Sequence, residues 1–366
     1  MSGRLAGDDR TARAMWSRIT EPGDRKAHRL ITELGPLTSL QLLAEGADPR
    51  LAARWRIRFP DADPRPDLDR LARCGGRLVI PGDEQWPAGL DDLEDRAPVC
   101  LWVRGPLRLG PVVRRSVAVV GARAATAYGE HVSGMLGAGL AGRGYAVVSG
   151  AAYGVDAQAH RGALADGGPT VAVLACGVDR PYPRGNHRLV ERIAAEGCVV
   201  AEVPPGSAPT RWRFVQRNRL IAAMTQATVV VEAALRSGTS ITAREAVDLG
   251  RQVAAVPGPV TSPASAGCHE LLRDGAVCVT RVEEVIELVS ASGAGLPGPR
   301  GGTAGPADGL SSHDQRVLDA VPLRRPADQG TIARTAGLDP DRVATSLALL
   351  EIRGLVRAAG RGWRRD

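Results

Sequence analysis

Arginine residues follow several predicted strands in the central part of the chain, where each strand ends in a turn. Arg123 lies just after Gly121, and Arg184 lies in the Tyr-Pro-Arg-Gly-Asn segment before a predicted helix. Arg217 and Arg219 stand at what the apolar pattern predicts to be the start of another helix. A guanidinium beside the free N–H groups of a helix N-terminus binds anions such as phosphodiesters. The spacing therefore predicts a phosphate-binding rim along the strand ends.

The same turns carry small and hydrogen-bonding residues that let a nucleic acid backbone approach closely. These candidate contacts are Ser149, Gly150, Gly154, Asn186 and His187. Tyrosines in the turns offer stacking surfaces, although core or loop packing explains them equally well. Aromatic residues make up only 3% of the chain, so we expect phosphate contacts to dominate and binding to depend steeply on salt.

Two of the arginines have an alternative explanation of equal weight. Arg217 and Arg219 stand beside an apolar helix, where either can pair with Glu202 or Glu232 at neighbouring strand ends. In that case they stabilise the fold and do not touch a ligand. His160 is predicted to be an internal hydrogen-bonding residue.

Several nucleotide-dependent chemistries are excluded by what the turns lack. A phosphate-binding Gly-Lys-Ser/Thr loop is absent, because Lys26 is the only lysine among 47 basic residues and lies near the N-terminus. The first turn, Gly121 to Thr126, lacks the GxGxxG pattern of dinucleotide sites. The six cysteines are scattered without a CxxC pair, which predicts buried, reduced thiols. We expect no cofactor and no metal.

One enzyme class stays open as an alternative. The segment Ser237 to Ser240, followed by Arg244 and Glu245, resembles the PGGxGTxxE phosphate turn of nucleotide phosphoribohydrolases. The two leading glycines are missing here, so we interpret the likeness as shared ancestry of a sheet and not as shared chemistry. The competing function is therefore a nucleotide hydrolase.

These turns require a doubly wound α/β sheet to position them. Apolar strands alternate with helices from Ser116 to about Ala291, and two further strands at Arg77–Ile80 and Val99–Arg104 are predicted to extend the sheet. The predicted helices span residues 129–143, 155–166, 187–196, 218–226, 241–250, 268–274 and 282–290. We place this extended Rossmann-like domain at residues 74–291.

Smaller units flank the sheet domain. Residues 1–73 have helical spacing and suggest either a helix-hairpin-helix (SAM-like) unit that grips DNA or, with more weight, a plain docking pair of helices. Residues 292–309 are rich in Gly and Pro and predict a flexible linker. Residues 310–366 follow the order of a winged helix, which binds either DNA or protein. A third function is thus a duplex-DNA regulator that uses Arg357, Arg361 and Arg364.

Charge and hydropathy fit a protein that handles a polyanion. The formal net charge is +7, which by itself favours nucleic acid only weakly. No segment has the ~18 consecutive apolar residues of a membrane helix, and no signal peptide is visible, so we expect a cytoplasmic protein with no membrane partner.

A series of motifs at consistent spacing resembles the DNA-processing protein A (DprA/Smf) family. The motifs are VVGAR, SGAAYGVD, YPRGN, RNRLI, SGTSITAREA and GCHELLRDGA. The resemblance implies an extended Rossmann domain that binds and protects single-stranded DNA, forms a homodimer and passes the strand to the RecA recombinase in natural transformation. It implies no catalysis, and it adds single-strand-binding protein as a further partner.

The resemblance also assigns roles to individual residues. Arg123 and Arg184 match phosphate-contacting basic positions, and the turn containing Ser149, Gly150, Gly154 and Asp156 would border the DNA groove. His269 and Leu272 match a dimer surface near the RecA contact. Two residues depart from the family pattern: Ala122 replaces a Ser or Thr that would donate to phosphate, and Ala151 stands where leucine is common.

Overall fold

The computed structural model describes residues 7–46, 53, 55–235, 237–290, 310–323, 325–360 and 362–365. The predicted linker at 292–309 lies outside these residues, as does Arg361. The chain forms two compact units, Met1–Gly295 and Leu296–Asp366.

A nine-stranded sheet forms the centre of the first unit. Its spatial order is β1-β2-β6-β5-β4-β3-β7-β8-β9, and all neighbours from β6 to β9 pair in parallel, whereas β2 is antiparallel to both β1 and β6. The strands are β1 Gly76–Val79, β2 Leu101–Arg104, β3 Ser116–Val120, β4 Ala146–Ser149, β5 Thr170–Leu174, β6 Cys198–Ala201, β7 Ala227–Val230, β8 Gln252–Ala255 and β9 Val277–Cys278. The predicted mixed α/β fold and the two additional strands are confirmed.

Helices cover both faces of the sheet, which explains why its strands are nearly continuous runs of buried Val and Ala. After β3 the chain winds outward through β4, β5 and β6, and it then returns to the other side of β3 to form β7. The junction of β3 and β7 is the topological switch point, where folds of this kind bind ligands at the carboxyl ends of the strands. The helices of the first unit are α1 Asp9–Ile19, α2 Arg25–Leu34, α3 Pro36–Glu45, α4 Arg65–Arg73, α5 Leu109–Val113, α6 Ala127–Ala141, α7 Val155–Ala165, α8 His187–Glu196, α9 Arg211–Met224, α10 Thr239–Asp248, α11 Ala266–Arg273 and α12 Val282–Val289.

The N-terminal helices pack around buried tryptophans and dock on the sheet. Trp16 and Trp55 meet edge to face with their ring centroids 5.4 Å apart. The Ser17 hydroxyl donates to the Glu202 carbonyl (3.1 Å) and accepts from the Trp102 indole (3.0 Å), which joins α1 to strands β2 and β6. These helices belong to the same compact unit as the sheet.

Helix α9 begins seven residues before its predicted start. The Thr210 hydroxyl caps it by accepting from the Arg213 backbone N–H (3.2 Å), so the helix begins at Arg211. The polar first turn, Arg-Trp-Arg, has no apolar period that would reveal it. As a consequence Arg217 and Arg219 lie in the middle of α9 and not at its N-terminus, which corrects the predicted position.

The second unit has its own small core. Three helices, α13 Ser312–Ala320, α14 Gln329–Ala336 and α15 Pro340–Ile352, precede an antiparallel hairpin of β10 Val356–Ala359 and β11 Gly362–Arg365. Val317, Ile332 and Leu347 are fully buried between the helices. This order of elements agrees with the predicted one, and the winged-helix assignment stays a prediction.

The structure bears on the predictions about cysteine burial and membrane-spanning helices. Four cysteines are buried and Cys74 is half-buried, but Cys278 is exposed because β9 is the edge strand of the sheet, so the prediction of a buried thiol is wrong there. Across the described ranges, no helix is long and apolar enough to cross a membrane.

Candidate nucleic-acid interface

A cavity of about 900 Å³ opens at the topological switch point. Its walls come from the turns after β3, β4 and β7 and from the first three turns of α9. The side chains that line it include Arg123, Tyr182, Arg211, Phe214, Arg217 and Asn218. Three arginines and two aromatic rings thus meet in one open cleft, a combination suited to phosphate and to an unstacked base.

Arg123 is exposed at the mouth of this cavity. Its guanidinium carbon lies 5.0 Å from the centre of the Phe214 ring, and the Tyr182 ring lies 5.6 Å from the same ring. The cation–π contact holds the guanidinium in place without using its hydrogen-bond donors. No described residue accepts from those donors, so they can bind an anionic ligand.

The turn that carries Arg123 is fixed by its neighbours. The Ala122 N–H donates to the Glu232 carbonyl (2.7 Å), and the Ala122 carbonyl accepts from the Val155 N–H (3.2 Å). Gly154 has φ +72°, and a Cβ there would lie 2.3 Å from the Ala122 carbonyl oxygen. Gly154 is therefore required for the close approach of the first two turns.

Glu232 organises the start of α6 and pairs with no arginine among the residues that the structure describes. Its carboxylate accepts from the Thr126 hydroxyl (2.6 Å) and the Thr126 N–H (2.9 Å). A carboxylate placed at a helix N-terminus is stabilised by the free N–H groups there. The sequence alternative in which Glu232 pairs with Arg217 or Arg219 is thus not what the structure shows.

The second turn is built from buried polar groups. Asp156 accepts from the N–H groups of Gly150 (3.1 Å) and Ala152 (3.3 Å), and so holds the backbone of this turn. The Asn186 amide donates to the carbonyls of Ala151 and Ala152, both at 3.0 Å, and the Ser149 hydroxyl donates to the carbonyl of Val119. Ser149 and Asn186 were predicted to contact DNA, but both are buried with their donors used inside the fold.

Ala151 adopts an unusual backbone conformation in this turn. Its φ is +53°, in the left-handed region that non-glycine residues seldom adopt, and its side chain is fully buried. The two hydrogen bonds from Asn186 hold the neighbouring carbonyls and so stabilise the strained residue. Ala151 therefore lies at a strained position of the turn as well as in the buried core.

Arg184 and His187 are exposed on the third turn. The turn touches the second one where the Gly185 N–H donates to the Tyr153 hydroxyl (3.2 Å). Arg184 does not line the cavity, so it marks a separate position along the rim. Of the predicted contacts, Arg123, Arg184 and His187 present their side chains to solvent.

Arg217 is a buried cation in the cavity wall. Its guanidinium donates to the carbonyls of Gly150 (2.8 Å) and Val173, and no described carboxylate lies within ion-pair distance. Burial lowers the pKa of Arg217, and burial raises the pKa of the nearby Asp156 carboxyl. Because arginine nonetheless stays protonated, it contributes a fixed positive potential to the cavity.

Arg219 is part of the interior, which corrects its prediction as a DNA contact. Its side chain is 1% exposed, and its two terminal nitrogens donate to the two Glu202 oxygens at 2.8 and 2.7 Å. Its remaining donors reach the carbonyls of Arg96 and Gln216. Only Asn218 lies between it and Arg217 on α9, and unlike Arg217 it does not line the cavity. The alternative of pairing with Glu202 is confirmed.

Sequence reasoning missed Arg211, an exposed cavity residue in the first turn of α9. The sequence signal for it is Thr210, a helix-capping residue after the Pro- and Gly-rich segment 204–209.

The carboxylate that the phosphoribohydrolase alternative requires is engaged within the fold. Both Glu245 oxygens accept from Arg96, at 3.0 and 2.8 Å. Within the described residues, no group of three or more His, Cys, Asp or Glu residues is placed to hold a metal.

The predicted dimer residues lie on helix α11, away from the cavity lining. His269 is half-buried with its Nε2 3.1 Å from the Gly258 carbonyl oxygen, and Leu272 packs partly against the sheet core. Both therefore have a role within one chain, whatever they do between chains.

Comparison with known proteins matches this arrangement to one family. The model of the family "DNA recombination-mediator protein A" matches residues 77–290. A DNA processing protein DprA of Mycobacterium tuberculosis is 48% identical over 97% of this chain and 95% of its own length. Protein Smf of Escherichia coli is 33% identical over 98% of this chain and 92% of its own.

Two solved structures are similar as well. The crystal structure of DprA from Streptococcus pneumoniae has a TM-score of 0.65 at 31% identity and covers 76% of this chain and 96% of its own. DprA from Helicobacter pylori, whose structure describes a single-stranded DNA binding mode, has a TM-score of 0.52 at 29% identity over 58% of this chain and 94% of its own. The chain therefore belongs to the DNA recombination-mediator protein A family.

Proposed function

We propose that this protein binds single-stranded DNA along the strand-end rim, with the switch-point cavity as its principal contact. The observation that carries the proposal is the position of Arg123. Its exposed guanidinium, to which no described residue is hydrogen-bonded, lies at the mouth of a cavity whose wall holds the buried cation Arg217. The Helicobacter pylori relative, described as binding single-stranded DNA, supports it. Phosphates are drawn by both charges, and unpaired bases fit the open cleft where a duplex would clash.

The predicted site residues divide into two roles. Arg123, Arg184 and His187 are exposed and supply direct contacts, joined by Arg211. A second set shapes the turns beneath them: Ser149, Gly150, Gly154, Asn186 and Arg217. Most of the contacts are therefore to phosphate, and we expect weak sequence preference.

The biological role we propose is that of a recombination mediator. The protein protects incoming single strands and loads the RecA recombinase onto them in natural transformation and recombination, in the cytoplasm, as a homodimer that meets single-strand-binding protein on the same DNA. It does so without catalysis. The family description and the DprA relatives support this role. Two rims in a dimer hold a longer strand than one, through the effective concentration of the second site.

Fluorescence anisotropy of labelled oligonucleotides across a salt series tests the DNA-binding proposal. We expect Arg123→Ala and Arg184→Ala each to weaken single-strand binding about tenfold and to lower the salt slope by about 0.7 per lost phosphate contact. Arg114→Ala is the matched control, because Arg114 is an exposed arginine just before β3 and so lies at the opposite edge of the sheet from Arg123. Equal affinities in all three variants would contradict the rim as the binding site.

Light scattering on the intact protein tests the dimer. We expect a mass near twice that of the 38.3 kDa chain, and a shift towards the monomer in His269→Ala with Leu272→Ala. A monomeric wild type at all concentrations would refute the homodimer.

A further inference from the structure

A second cleft lies beside the strand-end cavity, between the first turn of α9 and the loop that joins α1 to α2. Its volume is about 270 Å³, and its lining consists of residues 21–26 and Trp212. Arg211 lines the strand-end cavity, and the next residue, Trp212, lines this cleft. Neighbouring residues in the first turn of α9 thus line the two clefts.

Trp212 presents a large aromatic surface there. Its side chain is 54% exposed, and it is the most exposed of the six tryptophans, four of which are buried. A single exposed apolar residue needs no special explanation, so the surroundings must decide its role. The flat indole face is a surface on which an unpaired base of any sequence can stack.

The opposite wall of the cleft is rigid. Glu21 accepts from Arg213 twice, at 3.0 Å each, and from Arg58 at 2.7 Å. Gly23 packs directly on α9, where an added Cβ would lie 2.3 Å from Gln216 Oε1. The loop is thus bound to the same helix that carries Trp212, and the cleft is already formed in the free protein.

The cleft presents one exposed ammonium group, that of Lys26. Its two carboxylates are engaged within the fold, Glu21 as above and Asp24 by the Ala27 N–H (3.1 Å) and the Trp55 indole (3.0 Å). Lys26, the only lysine of the chain, is exposed and has no hydrogen-bond or ion-pair partner among the described residues. A free ammonium beside an indole face matches a phosphate next to a stacked base.

We propose that Trp212 is a stacking platform for a base of the bound strand, and that Lys26 holds a neighbouring phosphate. The DNA path then continues from the strand-end cavity over α9 onto the N-terminal helices. This inference rests on the proposed function and deepens it, since it gives the N-terminal helices a part in binding. A duplex is not bound here, because its bases are already stacked and cannot cover the indole.

Anisotropy titrations with oligothymidylate and with an abasic strand of equal length test the platform. We expect Trp212→Ala to weaken oligothymidylate binding about tenfold and to leave the abasic strand unaffected, whereas Trp212→Phe retains most of the affinity. Lys26→Gln should weaken both strands. DNA should also quench tryptophan fluorescence in the wild type, and this quenching should be lost in Trp212→Phe.

Arg123→Ala in the same series separates the two proposals. If the wild type binds oligothymidylate and depends on Arg123 while Trp212→Ala binds as the wild type does, the platform is refuted and the rim stands. Equal losses for both strands in Trp212→Ala would also refute stacking. If the wild type does not bind single strands, both proposals fall. Circular dichroism checks that the variants are folded. We expect them to be, because the side chains of Trp212, Lys26 and Arg123 are all exposed.

Discussion

Arginine serves two different purposes in this chain, and the surroundings of each guanidinium decide which. Arg219 pairs with the Glu202 carboxylate inside the protein, whereas Arg123 lies above the Phe214 ring and donates to no described residue. Arg217 lies between these cases, since carbonyl oxygens hold it in the wall of the cavity. Exposure and partner, and not residue type, separate a structural arginine from a ligand-binding one.

Removing one partner of the buried ion pair should destabilise the fold strongly. We expect Arg219→Met to lower the free energy of unfolding by about 3 to 5 kcal/mol, because Glu202 is left as an unpaired buried charge. The double variant with Glu202→Leu should recover part of that loss. Urea unfolding of the two variants and the wild type measures both effects, and a double variant less stable than Arg219→Met would contradict this account.

His160 should make the protein sensitive to acid. It is fully buried with Nδ1 2.7 Å from the Thr170 hydroxyl, and burial, helped by the charge of Arg217, lowers the pKa of His160 to about 3. Below pH ~6.5 His160 binds a proton in the unfolded chain but stays neutral in the folded protein. The free energy of unfolding is therefore highest above that pH and decreases as the pH falls.

Urea unfolding at two pH values checks the His160 prediction. We expect the wild type to lose roughly 2 kcal/mol between about pH 7 and pH 5 through this residue. His160→Gln, which has no group that titrates in this range, should show a loss smaller by that amount. Parallel pH profiles for the two proteins would show that His160 is not responsible.

Turns packed against one another form the functional unit at the scale of elements. The turn after β3 carries Arg123, but its position depends on the turn after β4, which touches it through Gly154 and Val155. The third turn reaches the second through Asn186 and Tyr153. Three separate chain segments thus fix one rim, and a change in any of them should move the others.

Gly154→Ala tests this interdependence without removing a charge. The new Cβ would lie 2.3 Å from the Ala122 carbonyl oxygen, so the turn of Arg123 must shift and single-strand affinity should fall about fivefold or more. Gly167→Ala is the control, because Gly167 has a similar φ of +69° but open space around its Cα. Anisotropy titrations compare the two, and equal affinities would show that the turns move independently.

Two compact units make up the whole molecule, and the candidate interface lies entirely within Met1–Gly295. This unit combines the sheet with the N-terminal helices, which contact the end of β6 through Ser17 and helix α9 through Glu21. The N-terminal helices and the sheet fall in one compact unit, and the domain boundary at residue 73 stays a prediction.

Truncation after Ser292 tests whether the C-terminal unit carries the DNA site. We expect the truncated protein to bind single strands within about twofold of the full chain, because every residue of the rim is retained. The alternative of a duplex-DNA regulator, with Arg357 and Arg364 on the hairpin, predicts the opposite. Loss of all DNA binding on truncation, with an unchanged circular dichroism spectrum of the sheet unit, would favour that alternative.

The sequence by itself determined the sheet, its strand-end turns and the family. Buried Val and Ala runs specify strands that need helices on both faces, and Gly121, Arg123 and Gly154 are adjacent in sequence to the strands that position them. The strands and turns can be predicted without knowing which elements pack against them, because strand periodicity and turn chemistry depend on a few consecutive residues.

Only the tertiary structure decided which polar residues face the ligand. Polar residues such as Asn186, Ser149 and Arg219 are typical of a protein surface when only the sequence is known. In the structure each is buried and hydrogen-bonded to a residue more than 15 positions away in the chain. Arg211 and Trp212 became candidates only once the Thr210 cap placed the start of α9. Burial and hydrogen-bond partners depend on long-range packing, which the local pattern of a single sequence does not encode.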